Sequence, residues 1–393
     1  MLKNHGVNLK QLYASEGATA TCDKLRGALI AGELKPEDFS VREIAEAFCG
    51  NDWVNKLNPA RQGDMLVRAE EESVDLTAFA NITGQIVYSK ILEKYKEADG
   101  GLFEQLCTVV PTSFSGEKIP GTGKILDEEY EVHPGKEFPE TGFGEDYQET
   151  PETTKHGLAI SILKETVFFD RTGLVLRDAG AIGDRLATGR LKRLLKVVIG
   201  AVNNYNWRGT AYNTYLTTGS WINKYASHAL VDYTDLEEAE LLWADMTDPD
   251  TGNPIEIAPS SKKMLCTPHL AFTARHIVQA TEVEIGAISA SVPLRRGPNP
   301  VQGYGQPIVS ALMYQLLQSQ LSFSAANSKG VWIIGDFKRA FWYMQNWGLT
   351  VVQAPQNNPD EFKKDVIAAW RGSERGVAAV GNPRHVIFNQ PQA

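Results

Sequence analysis

Residues 113–156 constrain this chain more than any other stretch. Nine glycines and prolines fall between Ser113 and Gly144, and acidic residues crowd positions 127–131 and 145–152. Gly and Pro at that density interrupt helices and central strands alike. Two extended runs, 124–132 and 158–163, flank the polar middle. The pattern predicts a long two-stranded excursion with too few apolar residues to form a core of its own. A connection this long in a compact domain is usually functional or an interaction arm.

The remainder has ample material for a core. Of 393 residues, 42% are apolar, and that length points to two or three domains. Lys and Arg number 39 against 48 Asp and Glu, a net charge of −9. That balance argues against a surface built throughout to grip a phosphate backbone. Cys22, Cys49, Cys107 and Cys266 stand far apart, without the spacing of a zinc site or a disulfide framework, and fit a reducing compartment. The opening Met-Leu-Lys-Asn-His-Gly lacks the apolar core of a signal peptide, and no run of apolar residues reaches membrane-spanning length. Neither export nor membrane residence is expected.

Periodicity predicts the larger elements. Val41, Ile44, Ala45 and Phe48 share a helical face, with Ser40 and Glu43 spaced as a capping box. A second helix is expected over 77–96, stopped by Asp99-Gly100-Gly101. These helices read as an arm that packs on something else. The longest helix is expected over 178–203, with Leu191, Leu194, Leu195, Val198 and Val202 on one side. Arg185, Lys192 and Lys196 align on a different side, either as a solvated face or as a contact for nucleic acid or an acidic loop. Further helices are expected over 235–246 and 268–280, a strand over 264–267, and a helix or strand over 307–319. Short strands over 331–334, 340–344, 349–353, 365–370 and 385–388 make the C-terminus β-rich. The fold class is α+β.

Local catalytic signatures are absent from the sequence. Gly121-Thr122-Gly123-Lys124 lacks the earlier glycine of a phosphate loop, where Lys118 stands, and the following Ser or Thr, where Ile125 stands. His269 and His276 lie seven residues apart, roughly 10 Å along a helix, which is too far to share one metal ion. No GxSxG, HExxH or GxGxxG occurs. The eight tryptophans, Trp332, Trp342 and Trp347 among them, read as core or interface anchors. The reading is a non-enzyme with no cofactor and no metal.

The order of arm, acidic hairpin, long helix, mixed middle and β-rich end resembles the tailed-phage major capsid fold, often called HK-ninety-seven-like. Residues 78–85 (AFANITGQ), 264–274 (MLCTPHLAFTA), Gly335-Asp336-Phe337-Lys338 and Ser373-Glu374-Arg375-Gly376 resemble the head-subunit group that includes Mu-like prophage proteins. Residues 1–74 match nothing assignable; they lack the charged heptads of a scaffolding segment, so an uncleaved N-terminus is expected.

The resemblance implies a largely helical N-terminal arm over 1–111 and an E-loop over 112–158. A peripheral domain with its spine helix would follow over 159–219, then an axial domain over 220–345 and a return to the peripheral domain over 346–393. It implies hexamers and pentamers of an icosahedral shell around double-stranded DNA held without sequence specificity. Portal and scaffolding proteins would be partners, no membrane would be involved, and assembly would take place in the bacterial cytoplasm. Some relatives join subunits covalently, which here would set Lys118, Lys124 or Lys136 against Asn357 or Asn358 with Glu361 assisting. An encapsulin-type compartment and a soluble α/β enzyme with a dispersed site are the alternatives.

Overall fold

The computed structural model describes residues 5–49, 69–98, 100–120, 132–137, 147–219, 221–247, 254–285, 295–354 and 366–391. The chain is α+β and divides into two units. Residues 1–101, 155–190 and 347–375 form the first; 102–154, 191–346 and 376–393 form the second.

The first unit is built on helices His5–Glu16, Ala18–Ala31, Val41–Cys49 and Ala69–Glu97. The described N-terminal helices bury apolar residues within this unit. Leu9, Leu25, Leu29, Ile44 and Phe48 join Ile82, Ile86, Ile91, Leu176, Ile182 and Trp370 in one buried cluster. Helix Val41–Cys49 starts where the sequence places it. Ser40 Oγ accepts from the Glu43 amide at 3.2 Å and donates to Asp170 Oδ1 at 2.8 Å. The Val41 amide donates to Thr172 Oγ1 at 2.8 Å, and that hydroxyl donates to Asp170 Oδ1 at 2.9 Å. One polar knot therefore ties two helix starts together. Ser40→Ala is expected to cost about 1 kcal/mol, read as a lower midpoint of chemical denaturation; an unchanged midpoint would show that water replaces the cap.

The helix expected over 178–203 runs instead over Thr172–Val198. It begins early because Val175 and Leu176 are buried in the first unit's core, a tertiary gain that Gly173 hides in the sequence. It ends early because Gly200 turns left-handed at φ +72 and the Tyr215 hydroxyl donates to the carbonyl of Val198. Leu191, Leu194, Leu195 and Val198 are buried as expected, but Val202 falls beyond the helix and is exposed.

In the second unit a five-stranded sheet runs in the order Gln306–Val309, Lys263–Cys266, Trp332–Gly335, Val386–Asn389, Lys224–Tyr225. Its central strands are buried on both faces: Met264, Cys266, Trp332 and Ile334 enter one core cluster, Leu265 and Ile333 another. That two-sided burial is why they read as continuous apolar runs. The stretch 307–319 resolves into strand Gln306–Val309 followed by helix Ala311–Leu321, which Ser310 caps. Helices Tyr233–Ala244 and Ala271–Gln279 lie near their expected places.

A four-stranded sheet orders Thr108–Pro111, Phe341–Gln353, Val366–Val380 and Thr154–Leu163. The sequence reads the second and third of these as shorter strands broken by turn residues, yet each is continuous. Asn346 is held in the strand because its Nδ2 donates to the carbonyls of Thr112 and Phe114, both at 3.0 Å. Arg375 lies 5.6 Å from the centre of the Trp347 ring.

Candidate functional site

The base of the excursion is its best-defined part. Strands Lys118–Pro120 and Tyr147–Glu149 pair antiparallel, with Lys118 opposite Glu149 and Pro120 opposite Tyr147. Tyr147–Glu149 pairs onward with Tyr205–Trp207, which pairs with Thr210–Tyr212. The returning strand is thus 147–149, not 158–163, which belongs to Thr154–Leu163 in the other four-stranded sheet. Alternation of apolar residues does not mark 147–149, because its buried residue is polar. Gln148 is fully buried, and its Nε2 donates to the carbonyl of Val380. Asn206 Nδ2 donates to Glu149 Oε2 at 2.6 Å, and Thr150 Oγ1 accepts from the Glu117 amide at 2.9 Å. These hydrogen bonds from the Gln148 and Asn206 amide nitrogens and to the Thr150 hydroxyl fix the root of the hairpin in the second unit.

Of the lysines considered for covalent joining, Lys118 sits on this root. Its ammonium is 3.1 Å from Glu149 and 4.7 Å from the centre of the Tyr147 ring. The hydrogen bond to Glu149 raises its pKa above the usual lysine value, so it is held charged rather than as the nucleophilic amine. Lys136 occupies an exposed turn. Lys124, Asn357, Asn358 and Glu361 lie outside the described residues, as do the run 124–131 and Gly121 to Gly123. Lys192 and Lys196 are half-buried on the second unit's part of the long helix; Arg185 is exposed on the first unit's part.

The other chemistry-bearing residues occupy packing positions or open surface. His269 lies against Tyr314, with ring centres 4.8 Å apart, and both His269 and His276 are exposed. Cys49, Cys107 and Cys266 are buried, and burial pushes the Cys266 thiol up to about 11, so it stays protonated at neutral pH. No group of acids, histidines and cysteines fit to hold a metal occurs among the described residues. No described helix is long and apolar enough to cross a membrane.

The four stretches that carry the family resemblance are packing devices. Phe79, Ile82 and Thr83 are buried in the first unit. Met264 to Cys266 form a central strand, and the Thr267 hydroxyl donates to the carbonyl of Lys329 at 2.6 Å. Asp336 caps the short helix Phe337–Ala340 by accepting from the amides of Lys338 and Arg339. Gly335, at φ +148, sits so close to the backbone of His385 that a Cβ would collide with that carbonyl and come within 2.8 Å of Val386 Cα. Glu374 is buried and accepts from the Tyr95 hydroxyl at 2.6 Å. The described residues of the signature hold the scaffold together.

Several large apolar side chains are exposed among the described residues. Phe168 and Phe169 form an exposed edge-to-face pair, and Val231, Leu241 and Phe272 are exposed in the second unit. Sequence reasoning did not single these residues out, since an isolated apolar residue in a short helix looks the same whether its neighbour is its own core or another molecule.

The chain is similar to the capsid of a native GTA particle (13% identity, TM-score 0.42, covering 74% of this chain and 90% of that one). It is also similar to a virus-like particle from Pyrococcus furiosus (10% identity, TM-score 0.38, 77% and 97%) and to a Gordonia phage Cozz structure (14% identity, TM-score 0.40, 74% and 86%). No curated protein matches the sequence. The family model described as phage capsid protein matches residues 147–389, from the hairpin's returning strand to the last strand of the five-stranded sheet. That match spans more than half of the sequence, and the chain belongs to the phage capsid protein family.

Proposed function

We propose that this capsid protein is the major shell-forming subunit of a tailed-phage head, assembling as pentamers and hexamers into an icosahedral shell around double-stranded DNA. The observation that carries this reading is the excursion rooted on strands Lys118–Pro120 and Tyr147–Glu149. Its root is fixed by buried polar groups at Gln148 and Thr150, while its sequence holds too little apolar material to close on itself. Such an arm buries its apolar residues by lying on a neighbouring copy, and heterologous contacts of that kind close into rings and shells. In this reading 159–219 and 346–393 form the peripheral domain, and 220–345 the axial domain.

Lys192 and Lys196, with Arg185, are proposed to meet packaged DNA or an acidic loop of another copy. Portal and scaffolding proteins complete the assembly in the host cytoplasm. Expressed alone or with its scaffold, the protein is expected to give closed shells or rings by negative-stain microscopy and to elute in the excluded volume. A monomer under both conditions overturns the reading. Covalent joining through Lys118, Lys124 or Lys136 to Asn357 or Asn358 predicts ladders above 43.3 kDa on a denaturing gel of mature particles. A single band excludes it.

A further inference from the structure

The five-stranded sheet carries two helices on one face. Helix Ala271–Gln279 packs beside edge strand Gln306–Val309. Helix Tyr233–Ala244 is attached where Trp243 Nε1 donates to the carbonyl of Arg384 at 3.1 Å, just before strand Val386–Asn389, and where Glu240 meets Lys262, just before strand Lys263–Cys266. Ala239, Trp243, Ala274, Ile277 and Val278 from the two helices enter the same core cluster. Each helix therefore turns its other side outward.

Those outward stripes are complementary. On Ala271–Gln279 the exposed positions are Phe272, Arg275, His276 and Gln279, spaced three and four apart, with Phe272 80% exposed. On Tyr233–Ala244 and its exit they are Thr234, Glu237, Glu238, Leu241 and Asp245, with Leu241 67% exposed and the preceding Val231 71% exposed. One stripe is a large apolar residue beside basic groups. The other is large apolar residues beside acids. Within the chain, Glu238 Oε2 lies 3.3 Å from His228 Nε2, and Glu240 is engaged by Lys262 and Tyr304.

We propose that these two faces dock on one another in neighbouring copies of this chain, the Phe272 stripe of one copy against the Leu241 stripe of the next. The inference rests on the shell-forming reading and specifies one of its contacts. Pairing a stripe with its own copy would set like charges together, so the contact joins two different patches. An interface of that kind repeats from subunit to subunit and closes into a ring. Burial of Phe272, Leu241 and Val231 supplies the attraction, and the charges set direction and partner choice, as opposed charges do at interfaces. An acidic stripe of this composition does not suit nucleic acid.

Directional crosslinking tests this. Phe272→Cys and Leu241→Cys are made separately in a Cys22→Ser background, because Cys22 is the partly exposed native thiol, and each is oxidised with diamide alone and after mixing. The mixture is expected to shift to a covalent dimer at twice the 43.3 kDa chain mass, and neither variant alone is. Glu237→Arg and Arg275→Glu singly are expected to lower shell yield, and the double reversal to restore it. Shells that form by microscopy without a dimer in the mixture, or with equal dimer from each variant alone, overturn the inference and leave the shell-forming reading standing. Absence of both shells and dimer overturns both.

Discussion

Gly183→Ala is expected to destabilise the protein by about 2–4 kcal/mol, although alanine is the better helix former. Gly183 lies inside helix Thr172–Val198 where it crosses helix Ala69–Glu97. A Cβ there would collide with the carbonyl oxygen of Ile91 and lie 3.0 Å from the amide nitrogen of Tyr95 and 3.1 Å from the Ile91 carbonyl carbon. The obstacle is backbone, which cannot rotate aside as a side chain does, so the helices must separate and the packing of Ile91, Ile182 and Leu186 loosens. Gly27, exposed in helix Ala18–Ala31, is the control: a Cβ added there meets nothing within 4 Å. Gly27→Ala is expected to stabilise by up to about 1 kcal/mol, the ordinary propensity difference. Denaturant midpoints of the two variants should move in opposite directions. A stable Gly183→Ala protein would mean that the two helices are not in backbone contact at this point.

Trp332→Ala should cost about 3–5 kcal/mol. Trp332 is fully buried at the centre of the five-stranded sheet, in register with Cys266 on one side and Asn389 on the other. Its ring lies 5.5 Å from that of His228, and its Nε1 donates to the carbonyl of His228 at 3.3 Å. Truncation removes one of the two tryptophans of that core and leaves a buried carbonyl without its donor, and each is destabilising on its own. For a unit of this size that corresponds to a fall of roughly 6–20 °C in Tm, read by calorimetry or by loss of near-ultraviolet circular dichroism. Trp332→Phe should fall between the two, since it keeps most of the apolar volume and loses the hydrogen bond. A shift of only a degree or two for Trp332→Ala would show that the site collapses around the gap.

Both positions bear on assembly. Gly183 keeps the first unit's helices at their spacing, and Trp332 supports the sheet that carries the Phe272 and Leu241 faces. Loss of shells in either variant should therefore accompany loss of stability. Charge reversals at Glu237 and Arg275 act on the exposed surface, and are expected to leave the denaturant midpoint near that of the parent while lowering assembly.

Much of the architecture was legible in residue order. Helix Val41–Cys49 and its Ser40 cap, the apolar stripe at Leu191 to Val198, the central strands at Met264 and Ile333, and the α+β class all follow from periodicity and capping chemistry, which act over a few residues. The resemblance stretches were also visible, because close-packed positions such as Gly335, Met264 and Glu374 tolerate few residue types. Other features depend on partners far away in sequence. The long helix begins at Thr172 because Val175 and Leu176 find a core, and it stops at Val198 because of Tyr215. Strand Phe341–Gln353 runs through Asn346 because Thr112 and Phe114 accept its amide hydrogens, and the hairpin's returning strand pairs through a buried Gln148 that no apolar pattern announces. Residue order by itself thus determined the class of fold, the principal helices and the family. Tertiary structure alone decided where elements end and which faces stay open, because a terminus or an exposed face is settled by which distant group competes for the same hydrogen bond or apolar surface.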